Sequence, residues 1–296
     1  MIIATLVAAG RLTKESLYSA ADRLEDARFK AHEWSWIDEG SAADIEIQAD
    51  PSKIAQLRSL LEGSIPETDV IVQPGEGREK KLLVADMDST MIGQECIDEL
   101  ADYAGKKDEI SSVTERAMQG DLDFATALVE RVASLNGLNI GAIDRCRADR
   151  VRANPGARTL VQTMKRRGAM TLLVTGGFHD FADPMAAELG FTEVRANYLE
   201  SVHGRLTGKV AGKIVDATAK CAALIEMRDR LGLSKDAVLA VGDGANDAPM
   251  ITEAGLGVAY RGKPKLLAAA DARLDHNDLT ALLWAQGIPR REWVRD

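Results

Sequence analysis

Residues 82–90 have the sequence LLVADMDST, in which an apolar run leads directly into Asp86 and Asp88. Side chains alternate sides along a strand, so a strand ending here would present both carboxylates to one point in space. One carboxylate of such a pair can attack phosphorus while the other moves a proton, and together they can hold a hard cation. Asp-x-Asp followed by Ser89 and Thr90 is also typical of turns and helix N-caps, so this segment alone leaves both interpretations open.

Two later segments have the same form, an apolar run that ends in polar residues. Residues 237–247 (AVLAVGDGAND) contain Asp243 and Asp247, and residues 170–177 (MTLLVTGG) end in a threonine and two glycines. Open α/β sheets bind ligands beyond the carboxyl ends of their strands. Glycines let backbone amides approach an anion closely, and a threonine hydroxyl adds a donor. Each segment alone could be a turn, but their joint occurrence predicts one site for phosphate and metal.

Length and composition indicate an ordinary globular protein of two domains. The chain has 296 residues, of which 46% are hydrophobic and 28% charged, and about 100–200 residues per domain is usual. The net charge of −9 disfavours a nucleic acid or an anionic membrane as partner. Three widely separated cysteines indicate neither a disulfide framework nor a metal site. We find no basic leader and no membrane span of about 20 apolar residues, so we expect a cytoplasmic protein.

The first quarter of the chain, residues 1–74, predicts a small α+β domain. Strand-like and helical segments alternate there in the order β-α-β-β-α-β, which is that of a ferredoxin-like unit. This order resembles the ACT-type modules that bind amino acids, so an amino-acid effector is a possible partner of this domain. Residues 74–81 (PGEGREKK) are polar and rich in turn formers, which is typical of a linker.

The rest of the chain predicts a parallel α/β core interrupted by a helical insertion. Apolar residues at helical spacing, such as Ile97, Leu100, Ala101 and Ala104, indicate helices in residues 94–153. Alternating strands and helices then return, which argues for a mostly parallel sheet flanked by helices. We therefore assign residues 75–93 and 154–296 to one core domain and residues 94–153 to an insertion.

Four motifs in order carry a family resemblance. They are Asp86-Met87-Asp88-Ser89-Thr90, then Thr175-Gly176-Gly177-Phe178, then Lys220, then Gly242-Asp243-Gly244-Ala245-Asn246-Asp247. This series resembles the haloacid dehalogenase superfamily, and more narrowly its phosphoserine phosphatases, for which DMDSTMIGQECIDEL (86–100) and GDGANDAPM (242–250) are distinctive. The resemblance implies a Rossmann-like parallel core, with the insertion as a cap that excludes water from a phosphorylated intermediate.

The resemblance also implies roles for the acidic residues. Asp86 would be the nucleophile that forms an aspartyl-phosphate, and Asp88 the acid and then the base. Mg²⁺ would be held by the side chains of Asp86 and Asp243 and by the backbone carbonyl of Asp88. Asp247 would orient a metal-bound water or Lys220, although an acid favoured by a helix N-terminus is the alternative.

Further residues are implied for binding the substrate. Lys220 would neutralise the phosphoryl oxygens, with Lys209 and Lys213 as competitors for this motif, and Thr175 and Gly176 would donate to the phosphate. In the cap, Glu95 would meet a substrate ammonium and Arg131 a carboxylate. The remaining implied contacts are Asn246 as a hydrogen-bond partner of the substrate, and Met118 and Phe124 as cap-lining residues, which we expect to lie partly in the core.

Together these features predict a Mg²⁺-dependent hydrolase of O-phospho-L-serine that completes serine biosynthesis. A phosphatase or phosphotransferase for another small phosphorylated metabolite is the nearest rival. An amino-acid sensor with a vestigial phosphatase site is a rival of another class, against which the intact acidic set speaks. A homodimer is compatible with the sequence, and we expect neither a nucleic acid nor a membrane as partner.

Overall fold

The computed structural model describes residues 1–8, 10–119 and 122–295, without the side chains of His32, Met118 and Gln119. Among the helices in these ranges, none has both the length and the hydropathy that crossing a bilayer requires.

The N-terminal unit is a four-stranded antiparallel sheet with two helices. Its elements are β1 (Ile2–Val7), α1 (Lys14–Asp26), β2 (Lys30–Asp38), β3 (Ala42–Gln48), α2 (Ile54–Leu61) and β4 (Asp69–Pro74), with strand order β2-β3-β1-β4. Thr13 caps α1 by accepting a hydrogen bond from the backbone amide of Ser16 at 3.2 Å. The helix buries Leu17, Ala20 and Leu24, which share one face at helical spacing. The predicted α+β unit with this element order is confirmed.

This N-terminal unit is joined to the rest of the molecule by polar contacts that are buried or partly buried. The guanidinium of Arg78 donates to Asp44 of β3 at 2.6 Å and to the carbonyl of Ala285 at 3.2 Å. The amide of Gln73 donates to the same carbonyl at 2.7 Å. The carboxylate of Asp69 accepts from the backbone and the side-chain amide of Asn277, at 2.9 and 2.7 Å. The segment predicted as a linker therefore contributes an arginine that fastens the two parts together.

The remaining elements form a parallel sheet with an insertion after its first strand. They are β5 (Leu82–Ala85), then α3 (Cys96–Asp102), α4 (Lys107–Gln119), α5 (Phe124–Ala133) and α6 (Gly141–Arg150) of the cap, then α7 (Ala157–Arg166), β6 (Met170–Phe178), α8 (His179–Leu189), β7 (Glu193–Val202), β8 (Arg205–Ala211), α9 (Ala217–Arg230), β9 (Val238–Gly242), α10 (Ala248–Glu253), β10 (Leu256–Tyr260), α11 (Pro264–Leu267), β11 (Ala272–Leu274) and α12 (Ala281–Ala285). The strand order is β11-β10-β9-β5-β6-β7-β8. Among the described strands of this seven-stranded sheet, only the β7–β8 pair is antiparallel, so the predicted parallel core is confirmed.

The sheet has an apolar layer on each face because its central strand is apolar throughout. Leu83 and Ala85 belong to one buried cluster, and Leu82 and Val84 belong to another. This is the period-two alternation of a strand covered on both sides. β5 therefore lies at the centre of the core, and its carboxyl end is fixed from both faces.

The cap differs in one detail from the predicted helical stripe. Ile97, Leu100 and Ala101 are buried in α3, but the helix ends at Asp102, before Ala104. Gly105 follows with φ of +68°, a left-handed conformation that stops the helix at low steric cost. The stripe predicts a helix that reaches Ala104, two residues beyond the end observed at Asp102, because the spacing of apolar residues carries no signal for a left-handed stop.

The hairpin of β7 and β8 packs against the cap. The backbone amide of Gly137 donates to the carbonyl of Leu206 at 2.8 Å. A Cβ on Gly208 would stand 3.2 Å from the Cα of Ala133, so α5 approaches the hairpin at backbone distance. The cap is therefore supported from the core side as well as by its own helices.

Candidate active site

Three strand ends bring the acidic and glycine-containing motifs together. β5 pairs in parallel with β6 and β9, with Ala85 opposite Leu173 on one side and Val241 on the other. The backbone amide of Asp86 donates to the carbonyl of Val241 at 3.0 Å. Asp86, Thr175 and Asp243 all line one cavity beyond this edge of the sheet, where α/β sheets bind ligands.

A buried lysine lies between two of the aspartates. The Nζ atom of Lys220 lies 2.7 Å from Oδ1 of Asp86 and 2.7 Å from Oδ1 of Asp247. Its position is set by α9, whose N-cap Asp216 accepts from the amide of Ala219 at 2.8 Å. Burial lowers the pKa of Lys220, but the charges of Asp247 and Asp86 outweigh this effect and the net shift is upward. The ammonium therefore stays charged beside the predicted nucleophile. The two competing lysines, Lys209 and Lys213, are exposed.

The buried carboxylates around this lysine outnumber it. One oxygen from each of Asp86, Asp243 and Asp247 lies within 4.8 Å of the others. Burial, and then the charge of Asp247, raise the pKa of Asp86 to about 7, and the same two causes raise the pKa of Asp243 well above its usual value. Buried anions in excess of cations need a further positive charge, and carboxylate oxygens suit a hard divalent ion. The donor set therefore fits Mg²⁺.

Asp247 has partners on both of its oxygens. Oδ1 accepts from Lys220 at 2.7 Å, while Oδ2 accepts from the backbone amides of Asp243 and Gly244 at 3.1 and 3.2 Å. A Cβ on Gly242 would stand 2.8 Å from the Cβ of Asp247, which explains the glycine before Asp243. The geometry gives Asp247 an orienting contact with the lysine and with the loop of Asp243.

Asp88 accepts hydrogen bonds on both of its carboxylate oxygens. Its Oδ1 accepts from the backbone amide of Cys96 at 2.8 Å and its Oδ2 from the hydroxyl of Thr175 at 3.2 Å. A Cβ on Gly177 would stand 2.6 Å from that Oδ2. Burial raises the pKa of Asp88 above its usual range, so this carboxyl can hold a proton nearer neutral pH than an exposed aspartate.

The cap contributes charges of opposite sign to the same cavity. Glu95 accepts a hydrogen bond from the hydroxyl of Ser89 at 2.5 Å, and Ser89 adopts φ of +53°. Burial and the charges of Asp88 and Asp243 raise the pKa of Glu95 well above its usual range. Arg131 is 4% exposed, and burial lowers its pKa while Glu95 raises it.

The cavity is small. Its volume is about 50 Å³, which is space for only a few water molecules. The lining includes the predicted residues Asp86, Asp88, Glu95, Arg131, Thr175, Gly176, Asp243 and Asn246, together with Phe124. Lys220 and Asp247 lie behind this lining, in contact with Asp86 and Asp243. The predicted cap-lining side chain of Met118 lies outside the described residues.

Sequence reasoning left several contacts of the site without a role. The hydroxyl of Thr90 donates to Asp243 at 3.1 Å, Ser89 holds Glu95, and Gly177 leaves room for Asp88. All three residues belong to motifs given above. A hydroxyl or a glycine next to an aspartate in the sequence could have predicted these contacts. Thr114 lines the cavity from α4 and had no sequence signal, because its partners come from other helices.

Comparison with known proteins agrees with this geometry. The model of the family of haloacid dehalogenase-like hydrolases matches residues 83–252, more than half of the chain. The chain belongs to this family. The match covers the strands that carry the haloacid dehalogenase motifs and the cap between them, and begins after the N-terminal unit.

Relatives of this haloacid dehalogenase-like chain include phosphoserine phosphatases. It is 43% identical over 223 residues to the phosphoserine phosphatase of Archaeoglobus fulgidus, and the match covers 75% of this chain but 64% of that protein. A solved phospho-aspartyl intermediate analogue of phosphoserine phosphatase is 36% identical, with a TM-score of 0.67 over 69% of this chain and 98% of the other. A probable phosphoserine phosphatase from Vibrio cholerae, in unliganded form, is 30% identical, with a TM-score of 0.71 over 96% of this chain and 88% of the other.

Proposed function

We propose that the chain is a phosphoserine phosphatase that hydrolyses O-phospho-L-serine to L-serine and phosphate, the last step of L-serine biosynthesis. One observation carries this proposal: Asp86, held by Lys220, lines the same buried cavity as Glu95 and Arg131. The first pair suits phosphoryl transfer to a carboxylate. The second pair presents opposite charges that match the ammonium and carboxylate of an amino acid.

In the first chemical step, a carboxylate oxygen of Asp86 attacks phosphorus and the bond to the serine oxygen breaks. Asp88, whose pKa is raised above its usual value by burial, gives its proton to the departing oxygen. In the second step Asp88 takes a proton from water, whose oxygen attacks the phosphorus of the aspartyl-phosphate. Phosphate then leaves, and the carboxylate of Asp86 is restored.

The charge on the phosphoryl oxygens is met by residues already in place. Lys220 stays protonated between Asp86 and Asp247 and supplies one positive charge without reorganisation. The backbone at Gly176 and the side-chain amide of Asn246 border the cavity, and the hydroxyl of Thr175, which donates to Asp88 in this structure, would turn to the phosphate. We assign Mg²⁺ to the side chains of Asp86 and Asp243 and to the backbone carbonyl of Asp88. When bound, this ion would neutralise phosphate oxygens and lower the barrier to attack.

Admission of substrate requires the cap to move. A cavity of about 50 Å³ holds a few waters but not an amino-acid phosphate. In this proposal the structure is taken as the closed arrangement, in which the cap would exclude bulk water from the intermediate. Opening would separate Glu95 and Arg131 from the strand ends, and closing would bring recognition and chemistry together.

The proposal extends to the rest of the chain. We divide it into an ACT-like unit at 1–74, a core at 75–93 and 154–296, and a cap at 94–153. The N-terminal unit would take an amino-acid effector, and its contacts through Arg78 and Asp69 give it a physical connection to the core. A homodimer and a cytoplasmic location are part of the same proposal.

A substrate panel tests the proposed activity. Phosphate release is measured with Mg²⁺ for O-phosphoserine, O-phosphothreonine, homoserine phosphate and p-nitrophenyl phosphate under identical conditions. We expect kcat/KM for phosphoserine to exceed the others by about tenfold or more, because only this substrate satisfies both cap charges at the right size. A clear preference for another phosphorylated metabolite would contradict the assignment, and no turnover of any ester would favour the amino-acid sensor.

A further inference from the structure

A chain of buried hydrogen bonds leads away from Arg131 into the cap. The NH1 group of Arg131 donates to the hydroxyl of Thr114 at 2.8 Å, and that hydroxyl donates to Oδ1 of Asp98 at 2.6 Å. The exposed fractions of the three residues are 4%, 2% and 8%. They come from α5, α4 and α3, so the chain of bonds crosses three cap helices.

The direction of these bonds follows from the inventory of donors. A guanidinium has only donors, so the threonine oxygen must accept from Arg131. The threonine has one proton, and the carbonyl of Ile110 at 3.1 Å is a weaker competitor for it than the carboxylate of Asp98 at 2.6 Å. Asp98 therefore polarises the hydroxyl that Arg131 contacts, and its negative charge balances the buried guanidinium.

A second contact fixes the other edge of the guanidinium. Its Nε–H donates to the backbone carbonyl of Ala127, one turn earlier in α5, at 3.1 Å. The planar group is thus held at two points, while Arg131 also lines the cavity. A two-point grip on a carboxylate requires the guanidinium plane to be aligned, and an arginine with free rotamers would lose that alignment.

We propose that Thr114 and Asp98 are positioning residues that determine specificity by holding Arg131 in the orientation that binds the substrate carboxylate. This inference rests on the proposed function, since it assumes a substrate that carries a carboxylate beside its phosphate. Thr114 itself lines the cavity, so the orienting contact lies directly next to the bound amino acid. Neither residue takes part in the chemistry at phosphorus.

Steady-state kinetics with two substrates test the role. Thr114→Val keeps the branched shape and removes the hydroxyl. We expect KM for O-phosphoserine to rise about tenfold with kcat changed less than about threefold, because a uniform binding contact is lost. Values for p-nitrophenyl phosphate, which has no carboxylate, should change less than about twofold. Thr114→Ser should restore most of the loss, and Ser112→Ala, at an exposed position of the same helix, is the matched control.

A double-mutant cycle distinguishes positioning from a general structural role. If Thr114 acts through Arg131, Thr114→Val should have almost no further effect on KM for phosphoserine in an Arg131→Ala background. Equal losses on both substrates, failure of serine to rescue, or the same loss with and without Arg131 would each overturn the proposal.

A double-mutant cycle on the free energy of unfolding tests this inference separately from the proposed function. Urea unfolding of the same four proteins measures coupling between Thr114 and Arg131 with no substrate present. If Thr114 and Arg131 are coupled in stability but the unmodified protein does not hydrolyse phosphoserine, the proposed function is refuted while the contact between the two residues stands. Phosphoserine hydrolysis together with strictly additive stability and kinetics would refute the positioning role alone.

Discussion

The ring of Phe124 in the cap lies against the backbone of Gly176 in the core, well inside the distance that a side chain on the glycine would need. Gly176 belongs to the motif that borders the proposed phosphate position, and its carbonyl accepts from the side-chain amide of Asn197 at 2.8 Å. The absence of a Cβ at this position is therefore what lets the ring of Phe124 pack against this edge of the sheet, where we propose that phosphate binds.

Gly176→Ala should keep the cap from closing fully. The new methyl group would overlap the ring of Phe124, and we expect kcat/KM for phosphoserine to fall about 10- to 100-fold through misplacement of the cap residues. The measurement is steady-state kinetics at saturating Mg²⁺. Adding Phe124→Leu should recover part of the loss because the smaller side chain makes room. A fully active Gly176→Ala protein would show that this contact does not govern closure.

Asp86→Asn should abolish turnover while the chain still folds. The amide is nearly isosteric with the carboxylate but is a poor nucleophile, so we expect phosphate release to fall by about 10³-fold or more. Release is followed with Mg²⁺, and folding by circular dichroism. Asp229→Asn, at a side chain 63% exposed, is the matched control and should be fully active. Substantial activity in Asp86→Asn would assign the nucleophile elsewhere.

Lys220→Met should destabilise the protein as well as inactivate it. The substitution leaves Asp86 and Asp247 buried without their 2.7 Å partner, and breaking a buried ion pair in this way costs about 3–5 kcal/mol. Urea unfolding without Mg²⁺ measures the loss. Lys213→Met, at an exposed lysine, should leave the free energy of unfolding almost unchanged. Equal stability of the two variants would mean that the lysine does not neutralise the carboxylates.

The metal-free protein should become more stable as pH falls from alkaline to mildly acidic values. Burial raises the pKa of Asp86 from 3.8 to about 7, so the folded chain binds this proton more tightly than the unfolded chain. The resulting stability is complete below pH 3.8 and is lost as pH rises through about 7. We therefore expect Tm of the EDTA-treated protein to be higher at about pH 5.5 than at about pH 8.

Two further measurements test whether the carboxylates cause this dependence of Tm on pH. Mg²⁺ binds the ionised form, so the increase in Tm on adding it should be larger at about pH 8 than at about pH 5.5. Asp86→Asn should reduce the dependence of Tm on pH in the metal-free protein. A metal-free protein whose Tm rises steadily up to about pH 8 would contradict the upward shift at Asp86.

Local patterns predict the fold and the convergence of the strand-end motifs, and the family resemblance implies the roles of their residues, whereas neither predicts the contacts that support the site. The apolar run before Asp86 predicted a buried strand, and parallel order predicted that Asp86, Thr175 and Asp243 would converge. The helical stripe in the cap was extended to Ala104, because a left-handed stop at Gly105 leaves little trace in hydrophobic spacing. Arg78 was assigned to a linker, but it donates to Asp44 and Ala285 across the two parts of the molecule.

The sequence by itself determined the strand-end motifs, because alternation along a strand and the order of parallel strands are local or one-dimensional properties. Only the tertiary structure decided that Lys220 lies between Asp86 and Asp247, and that Asp98 and Thr114 hold Arg131. These contacts join residues from separate helices and strands, and their strength depends on burial and on the direction of each donor. Neither burial nor direction exists until the chain has packed.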